Sequence, residues 1–143
     1  MSAAPPDGSG EVSLPIATDT DIVVARQEGR ALAARAGVVA TDLTLVATAI
    51  SEIARNIVAH AGDGEMAMTI VEQAGRRGVM IVARDTGPGI DDIERALEDG
   101  YSTGAGLGLG LPGARRIMDD FAISSQPGRG TTVVMHKWVR SSA

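Results

Sequence analysis

Polar and apolar residues in the first half of the chain recur at the spacing of an amphipathic helix. One apolar stripe recurs every three or four residues and comprises Leu43, Val46, Ile50, Ile53 and Ile57. A second stripe, about 115° away around the same helix, comprises Leu45, Ala49, Glu52 and Asn56. We expect the first stripe to pack in the core. The second stripe ends in two polar residues, which favours a helix that borders a pocket on that side.

Alternation and chain-breaking residues predict a strand and a helix before this long helix. Residues 12–16 alternate between apolar and polar side chains, and Pro15 suits an edge strand because it donates no hydrogen bond. Helical periodicity then runs to Ala36, and Gly37 would end that helix. The predicted N-caps are Asp19 or Thr20 for the first helix and Thr41 or Asp42 for the second, which would end near Ala61.

The second half of the chain predicts two hairpins with short helices between them. The predicted strands are residues 66–72 and 78–84, joined by a turn at 75–78, and residues 121–125 and 131–138, joined by a turn at 127–130. Residues 90–98 predict a short acidic helix. Pro112 suits the first turn of a further helix that continues through Met118.

Composition restricts the classes of protein that this chain could represent. With 143 residues, 44% of them hydrophobic, the chain can form one domain with a substantial core. Only three residues are aromatic, so that core must be aliphatic. The net charge of −5 and the lack of a basic run argue against nucleic-acid and anionic-membrane binding. The absence of cysteine excludes disulfides and thiolate metal sites.

The ends of the chain and its apolar runs predict its organisation and location. No apolar run is long enough to span a membrane, and the N-terminus lacks the pattern of a signal peptide. We therefore expect a cytoplasmic protein. Its expected organisation is a disordered tail at 1–10, a single domain at 11–139 and a C-terminal tail at 140–143.

A turn motif follows the predicted strand 78–84, at Asp85, Thr86, Gly87, Pro88 and Gly89. The glycines and the proline end the strand and leave the Asp85 carboxylate at the edge of the sheet. Such a carboxylate can accept a hydrogen bond from an exocyclic amine, and glycine lets a flat ring approach the backbone. The alternative is an ordinary turn in which Asp85 is a local cap.

A glycine-rich stretch at 99–113 leads into the predicted helix at Pro112. Glycine loses much conformational entropy on folding, so this composition favours a functional loop. A loop that leads into a helix N-terminus presents free amides to a phosphate. Gly108, Gly110 and Gly113 formally match GxGxxG, but no apolar strand precedes them and no acidic residue follows at the required interval in a βαβ unit. A P-loop is excluded because the chain lacks GxxxxGK[ST].

In their order, the motifs resemble those of the GHKL superfamily of Bergerat-fold ATPases and kinases. They are Glu52 and Asn56 on a helix, Asp85 to Gly89 after a strand, the glycine-rich stretch, and Gly130-Thr131-Thr132 entering the last strand. Within the superfamily the chain is similar to the RsbT-type serine/threonine switch kinases of bacterial stressosome modules. This likeness is carried by residues 21–27, 49–56, 98–103, 106–113, 118–121 and 137–138.

The resemblance implies a fold and roles for individual residues. The fold would be α+β: a two-layer α/β sandwich with a mostly antiparallel mixed sheet and about three to four helices on one face. Glu52 would be catalytic and would orient or deprotonate the attacking hydroxyl, while Asn56 would bind Mg²⁺ at the phosphates of ATP. Asp85 would accept the adenine amine. The other nucleotide-binding residues implied are Gly87, Gly89, Gly104, Gly106, Leu107, Gly108, Gly110, Thr131 and Thr132.

Chemistry and helix geometry bear on the expected roles of Glu52 and of the neighbouring Arg55. An ordinary glutamate is ionised at neutral pH and is a weak base, so orientation of the hydroxyl is the role expected of Glu52. Arg55 is directed about 100° away from Asn56 around the helix. A contact with phosphate and a contact with solvent or a partner therefore both stay open for Arg55.

The function implied by the resemblance is an ATP- and Mg²⁺-dependent serine/threonine protein kinase. It would phosphorylate a STAS-domain antagonist or scaffold protein in a partner-switching stress response and then activate a PP2C-type phosphatase. No nucleic-acid or membrane partner is expected. Two alternatives stay open: an anti-sigma factor kinase that binds a sigma subunit, and a nucleotide-gated binding module without phosphoryl transfer. Partner surfaces lie outside the motifs, so the sequence does not separate these functions.

Overall fold

The computed structural model describes residues 11–90, 96–98 and 110–140. Its strands are β1 (Glu11–Ile16), β2 (Gly64–Gln73), β3 (Arg76–Asp85), β4 (Asp120–Gln126) and β5 (Gly130–Trp138). Its helices are α1 (Asp19–Ala36), α2 (Ala40–His60) and α3 (Gly110–Ile117). Most of the acidic helix predicted at 90–98 and most of the glycine-rich stretch lie outside the described residues. None of the helices described here is long and apolar enough to cross a membrane.

The five strands form one sheet in the order β1-β2-β3-β5-β4, and each neighbouring pair is antiparallel. β1 lies at an edge, as the proline predicted, with Pro15 opposite Glu65. Side chains alternate across a strand, so one face of the sheet can be apolar throughout. The described helices cover that face, which confirms the predicted two-layer sandwich of the α+β class.

The core forms between this sheet face and the apolar stripe of α2. All five residues of the stripe, from Leu43 to Ile57, are at most 9% exposed. They meet alternate residues of the central strands, including Met66, Met68 and Ile81. Helix α1 approaches closely at Gly29, where a Cβ atom would overlap the side chain of Ile50 on α2. The periodicity of the sequence therefore predicted the buried face correctly.

The N-caps of the two long helices differ from the predicted ones. Thr18 caps α1, because its side chain accepts a hydrogen bond from the Asp21 amide while the Asp21 carboxylate accepts one from the Thr18 amide. This reciprocal pair satisfies two helix donors, which neither Asp19 nor Thr20 does. The Gly37 C-cap is confirmed, with a φ of 102°. Helix α2 begins after Val39, which makes no side-chain capping bond.

Asp42 does not cap α2, and neither does Thr41, because the helix already begins at Ala40. Asp42 lies in the first turn of the helix, is only 6% exposed, and accepts a hydrogen bond from Arg140 Nε at 2.8 Å. This hydrogen bond and the charge of Asp42, with a contribution from the charge of Asp119, raise the pKa of Arg140 above its usual range. The chain after β5 is thus attached to the start of α2.

Lys137 is a buried cation at the opposite end of α3 from the glycine-rich stretch. It is 2% exposed, and its ammonium group donates to the Ile117 carbonyl at 2.8 Å. The carboxylate of Asp119 lies 3.6 Å from Lys137 Nζ and also accepts the Trp138 amide. A cation at a helix C-terminus satisfies carbonyls that have no partner within the helix. Lys137 therefore holds the C-terminal end of α3 against β5.

Candidate functional site

The polar end of the second stripe of α2 faces the start of α3. The Glu52 carboxylate accepts a hydrogen bond from the Gly110 amide, with 2.9 Å between Oε1 and N. Gly110 is the first residue of α3 and has a φ of 66°, which glycine adopts without steric cost. The first amides of a helix carry partial positive charge, so they favour an anion. Glu52 thus lies at the helix end that the glycine-rich stretch predicted as a phosphate site.

Arg55 holds the second oxygen of the same carboxylate. Its Nη1 donates to Glu52 Oε2 at 2.8 Å, across a three-residue step on α2. The side chain of Glu52 is 11% exposed, whereas that of Arg55 is 53% exposed. Arg55 therefore reaches from the surface onto a nearly buried carboxylate. Each oxygen of the Glu52 carboxylate thus accepts a hydrogen bond, Oε1 from the Gly110 amide and Oε2 from Arg55.

Asn56 lies one turn beyond Glu52 on the same helix face, as the four-residue spacing predicted. Its side chain is half-buried and makes no hydrogen bond in the described part of the chain. The carboxamide oxygen is therefore available as a ligand. No group of three or more His, Cys, Asp or Glu suited to a metal ion occurs among residues 11–90, 96–98 and 110–140. Oxygen ligands of a carboxamide, of phosphates and of water are those that Mg²⁺ prefers.

Asp85 ends β3 and turns back onto its own backbone. Its Oδ1 accepts the Gly87 amide at 2.9 Å, while Oδ2 has no hydrogen bond within the described residues. A Cβ atom at Gly87 would lie 2.5 Å from the Cβ of Ala61, the residue that follows α2. A side chain at Gly89 would overlap the Gln126 carbonyl. Both glycines are therefore required by packing within the protein, and this packing places Asp85 at the C-terminal end of α2.

The last strand brings one of the two candidate threonines next to Asp85. Thr131 is directly opposite Asp85 in the β3–β5 pairing, and Thr132 is opposite Arg84. Since opposite residues of an antiparallel pair share a face of the sheet, Thr131 shares the face of Asp85, which the helices cover. Thr132 belongs to the other face. The structure therefore brings Thr131 to the site and does not bring Thr132 there.

Ser125 is a residue of this region that the sequence analysis did not identify. Its hydroxyl donates to the Gly130 carbonyl at 3.0 Å, lies 2.8 Å from Thr131 Oγ1, and accepts the Ile90 amide at 2.7 Å. Ser125 thus connects the turn after Asp85 to the start of β5. The sequence signal that could have identified Ser125 is the predicted second hairpin, because its register places Ser125 opposite Thr131.

The remaining candidates could not be placed. Gly104, Gly106, Leu107 and Gly108 lie outside the described residues, so their predicted contacts with nucleotide stay predictions. Of the glycine-rich stretch, Gly110 and the residues after it are described, and α3 carries Leu111, Pro112 and Ala114 as buried residues. The expectation that Pro112 lies in the first turn of a helix is confirmed.

The described residues fit a nucleotide bound along one side of α2. Asp85 offers the acceptor Oδ2, which has no partner in the described part of the chain, beside the C-terminal end of the helix, where an exocyclic amine could donate to it. Glu52 and the first amide of α3 lie about 13 Å away along the helix axis. Asn56 lies between these two ends. This order suits a base at the turn, a metal ion at Asn56 and phosphates at the start of α3.

Comparison with known proteins identifies the family of this chain. The histidine kinase-like ATPase domain family matches residues 16–137. The serine/threonine-protein kinase RsbT of Bacillus subtilis (strain 168) is 48% identical over 125 residues, which cover 87% of this chain and 94% of that protein. The anti-sigma F factor of Thermoanaerobacter sp. (strain X514) is 30% identical over 122 residues, covering 82% of this chain and 85% of the relative.

A second anti-sigma F factor, from Bacillus licheniformis, is 31% identical over 108 residues, or 71% of this chain and 73% of the relative. The family match over residues 16–137 includes the α2 motif, the turn after β3 and most of β5, so it covers the whole candidate site. The predicted resemblance to this superfamily and to RsbT-type kinases is confirmed. The chain belongs to the histidine kinase-like ATPase domain family.

Proposed function

We propose that this protein is an ATP- and Mg²⁺-dependent serine/threonine protein kinase. The observation that carries the proposal is the alignment along α2 of Asp85, Asn56 and Glu52. Among the described residues, Asp85 Oδ2 and the Asn56 carboxamide make no hydrogen bond. The family match and the similarity to a Bacillus subtilis protein named as a serine/threonine-protein kinase support this reaction. Asp85 Oδ2 and the Asn56 carboxamide are the two groups that the nucleotide and its metal ion would need.

The chemistry asks the protein mainly for positioning. Phosphoryl transfer passes through a loose transition state, so alignment and charge neutralisation contribute more than a strong base does. ATP with Mg²⁺ would supply the phosphoryl group and neutralise its charge. Asn56 would ligate the metal ion, and the amides at the start of α3 would bind phosphate oxygens. Glu52 would orient the acceptor hydroxyl by accepting a hydrogen bond from it.

The proposed substrate is a STAS-domain scaffold or antagonist protein with an acceptor serine or threonine, and a PP2C-type phosphatase is the proposed second partner. Phosphorylation adds about two negative charges to the substrate. The sequence between 91 and 99 carries five acidic residues beside the glycine-rich stretch. Repulsion between these charges and the phosphorylated substrate would release the product and free the kinase for its second partner.

Incubation of the purified protein with γ-labelled ATP, Mg²⁺ and a STAS-domain partner tests the reaction. We expect acid-stable label on the partner, as phosphoserine or phosphothreonine gives, and label on the partner rather than on the kinase. Binding of the unmodified partner should exceed binding of the phosphorylated one, and the difference should shrink at high salt because screening weakens repulsion. Transfer to the partner without any loss of binding would contradict the electrostatic release.

One alternative has a specific observation in its favour. Relatives named anti-sigma F factor match most of the chain, so a sigma subunit is a second candidate partner. The same labelling experiment separates the alternatives. Transfer together with binding of a sigma subunit would favour an anti-sigma kinase. Tight nucleotide binding without transfer to any partner would instead favour a nucleotide-gated binding module.

Base recognition gives a prediction that can be tested without a protein partner. In Asp85→Asn the amide oxygen can keep the Gly87 hydrogen bond, while the amide nitrogen would face the adenine amine with a second donor. We expect ATP affinity to fall about 30-fold, since a buried donor would be left unpaired. Wild-type protein should bind GTP poorly. Calorimetry with ATP and GTP measures both effects.

Asp63→Asn is the matched control for this change. Asp63 is an exposed aspartate in the loop between α2 and β2, and the substitution removes the same charge without touching the turn. We expect this variant to bind ATP as the wild type does. Equal affinities of the wild type for ATP and GTP would show that Asp85 does not read the adenine amine.

A further inference from the structure

The Glu52 carboxylate of α2 contacts the start of α3, where its negative charge would repel a bound phosphate. Glu52 is 11% exposed at its side chain and accepts the Gly110 amide, which is the first amide of the helix end assigned to phosphate. A carboxylate and a polyphosphate are both anions, and their repulsion is strongest where water is excluded. Glu52 alone would therefore disfavour nucleotides in proportion to their phosphate charge.

Arg55 lies where its positive charge can reduce this repulsion. Its guanidinium group is 2.8 Å from Glu52 Oε2 and offsets the negative charge at the oxygen that does not bind Gly110. Because a carboxylate held at both oxygens cannot rotate freely, the same contact keeps Oε1 on the Gly110 amide. An ordinary surface pair on a helix joins two exposed groups. Here an exposed arginine is paired with a nearly buried carboxylate that also binds a second element.

We propose that Arg55 is a positioning residue that acts on the nucleotide through Glu52. It neutralises the Glu52 carboxylate so that a polyphosphate can approach the start of α3, and it holds that carboxylate beside the Gly110 amide. The inference deepens the proposed function and rests on it, because the ligand is the polyphosphate of the nucleotide. Arg55 itself makes no contact with the phosphates.

The expected signature is a loss of affinity that grows with the number of phosphates. We expect Arg55→Gln to weaken ATP binding about ten-fold, ADP binding less, and adenosine binding not at all. Arg55→Lys should keep most of the affinity because it keeps the charge. Calorimetry with the three ligands measures this series. A local unfolding of α2 would weaken all three ligands equally and would contradict the proposal.

A double substitution distinguishes action through Glu52 from a direct contact with phosphate. In the Glu52→Gln background there is no carboxylate charge to offset, so adding Arg55→Gln should change ATP affinity by less than about two-fold. A loss in this background as large as in the wild type would mean that Arg55 binds phosphate directly, and the proposal would be wrong. Arg30→Gln, which removes an exposed cation from α1, is the control for net charge.

A measurement on the nucleotide-free protein completes the test. Hydrogen exchange at the Gly110 amide, followed by NMR, reports the hydrogen bond to Glu52. We expect faster exchange at Gly110 in Arg55→Gln, with unchanged exchange in the buried middle of β3. Unchanged exchange at Gly110 would show that Arg55 does not hold the carboxylate. This readout is independent of the proposed function, whose own failure would appear as a wild type that binds no ATP.

Discussion

Replacing Asn56 with alanine is expected to reduce phosphoryl transfer about 10³-fold, because the change removes the proposed ligand of the metal ion. The fold should survive this change. Asn56 makes no hydrogen bond in the described part of the chain, and alanine is the better helix former. The rate of label transfer at saturating ATP and partner measures the first effect, and the midpoint of thermal unfolding measures the second.

Two further variants make the result specific. Asn56→Asp restores an oxygen ligand and should recover part of the magnesium-dependent binding of ADP, which calorimetry at varied Mg²⁺ reports. Thr44→Ala, an exposed position on the same helix about three turns earlier, should leave transfer unchanged. Full activity of Asn56→Ala would exclude Asn56 as the metal ligand. The arrangement of Asp85, Asn56 and Glu52 along α2 would then no longer support the proposed reaction.

Gly130→Ala is expected to destabilise the protein by about 3 kcal/mol or more. Gly130 begins β5 with a φ of 109°, and a Cβ atom there would overlap the Asp85 carbonyl oxygen and lie 2.8 Å from the Cα of Thr86. These are backbone atoms, so the strand ends cannot separate without moving Asp85. We expect lower stability in urea denaturation, together with weaker ATP binding at temperatures where the variant stays folded.

Gly128→Ala separates the cost of the left-handed backbone from the cost of the steric overlap. Gly128 also has a positive φ, 78°, but a Cβ atom there meets nothing within 4 Å. This variant should lose only the roughly 1 kcal/mol that a left-handed backbone costs an alanine, and its ATP affinity should be that of the wild type. If Gly128→Ala and Gly130→Ala lose the same stability, the cost of the left-handed backbone alone explains both losses. The close approach of β5 to Asp85 would then contribute nothing to the stability lost in Gly130→Ala.

Local patterns predicted the elements of this fold well. The stripe from Leu43 to Ile57 is buried, both hairpins form, and Gly37 ends α1. These features depend on residues within a turn or two of one another, so their spacing in the sequence is sufficient. The wrong cap of α1 is a local error of one residue. The sequence Thr18-Asp-Thr-Asp21 consists entirely of residue types that can cap a helix, and the reciprocal bond with Asp21 selects Thr18.

The predicted N-cap of α2 was wrong for a different reason. Asp42 has the right chemistry and position to stabilise the start of the helix, but its carboxylate binds Arg140 from the far end of the chain. Lys137 is a similar case, because its sequence position in an alternating strand gives no indication of the Ile117 carbonyl that it reaches. Partners so distant in sequence are set by the packing of elements and not by periodicity.

By itself, the sequence determined the class of fold, the order of the motifs and the placement of Glu52 and Asn56 on one helix face, since a four-residue step on a helix requires it. Only the tertiary structure decided that Glu52 binds the Gly110 amide, that Arg55 completes this contact, and that Thr131 rather than Thr132 accompanies Asp85. The physical reason is that strand register and helix packing bring together residues whose separation along the chain carries no periodic signal.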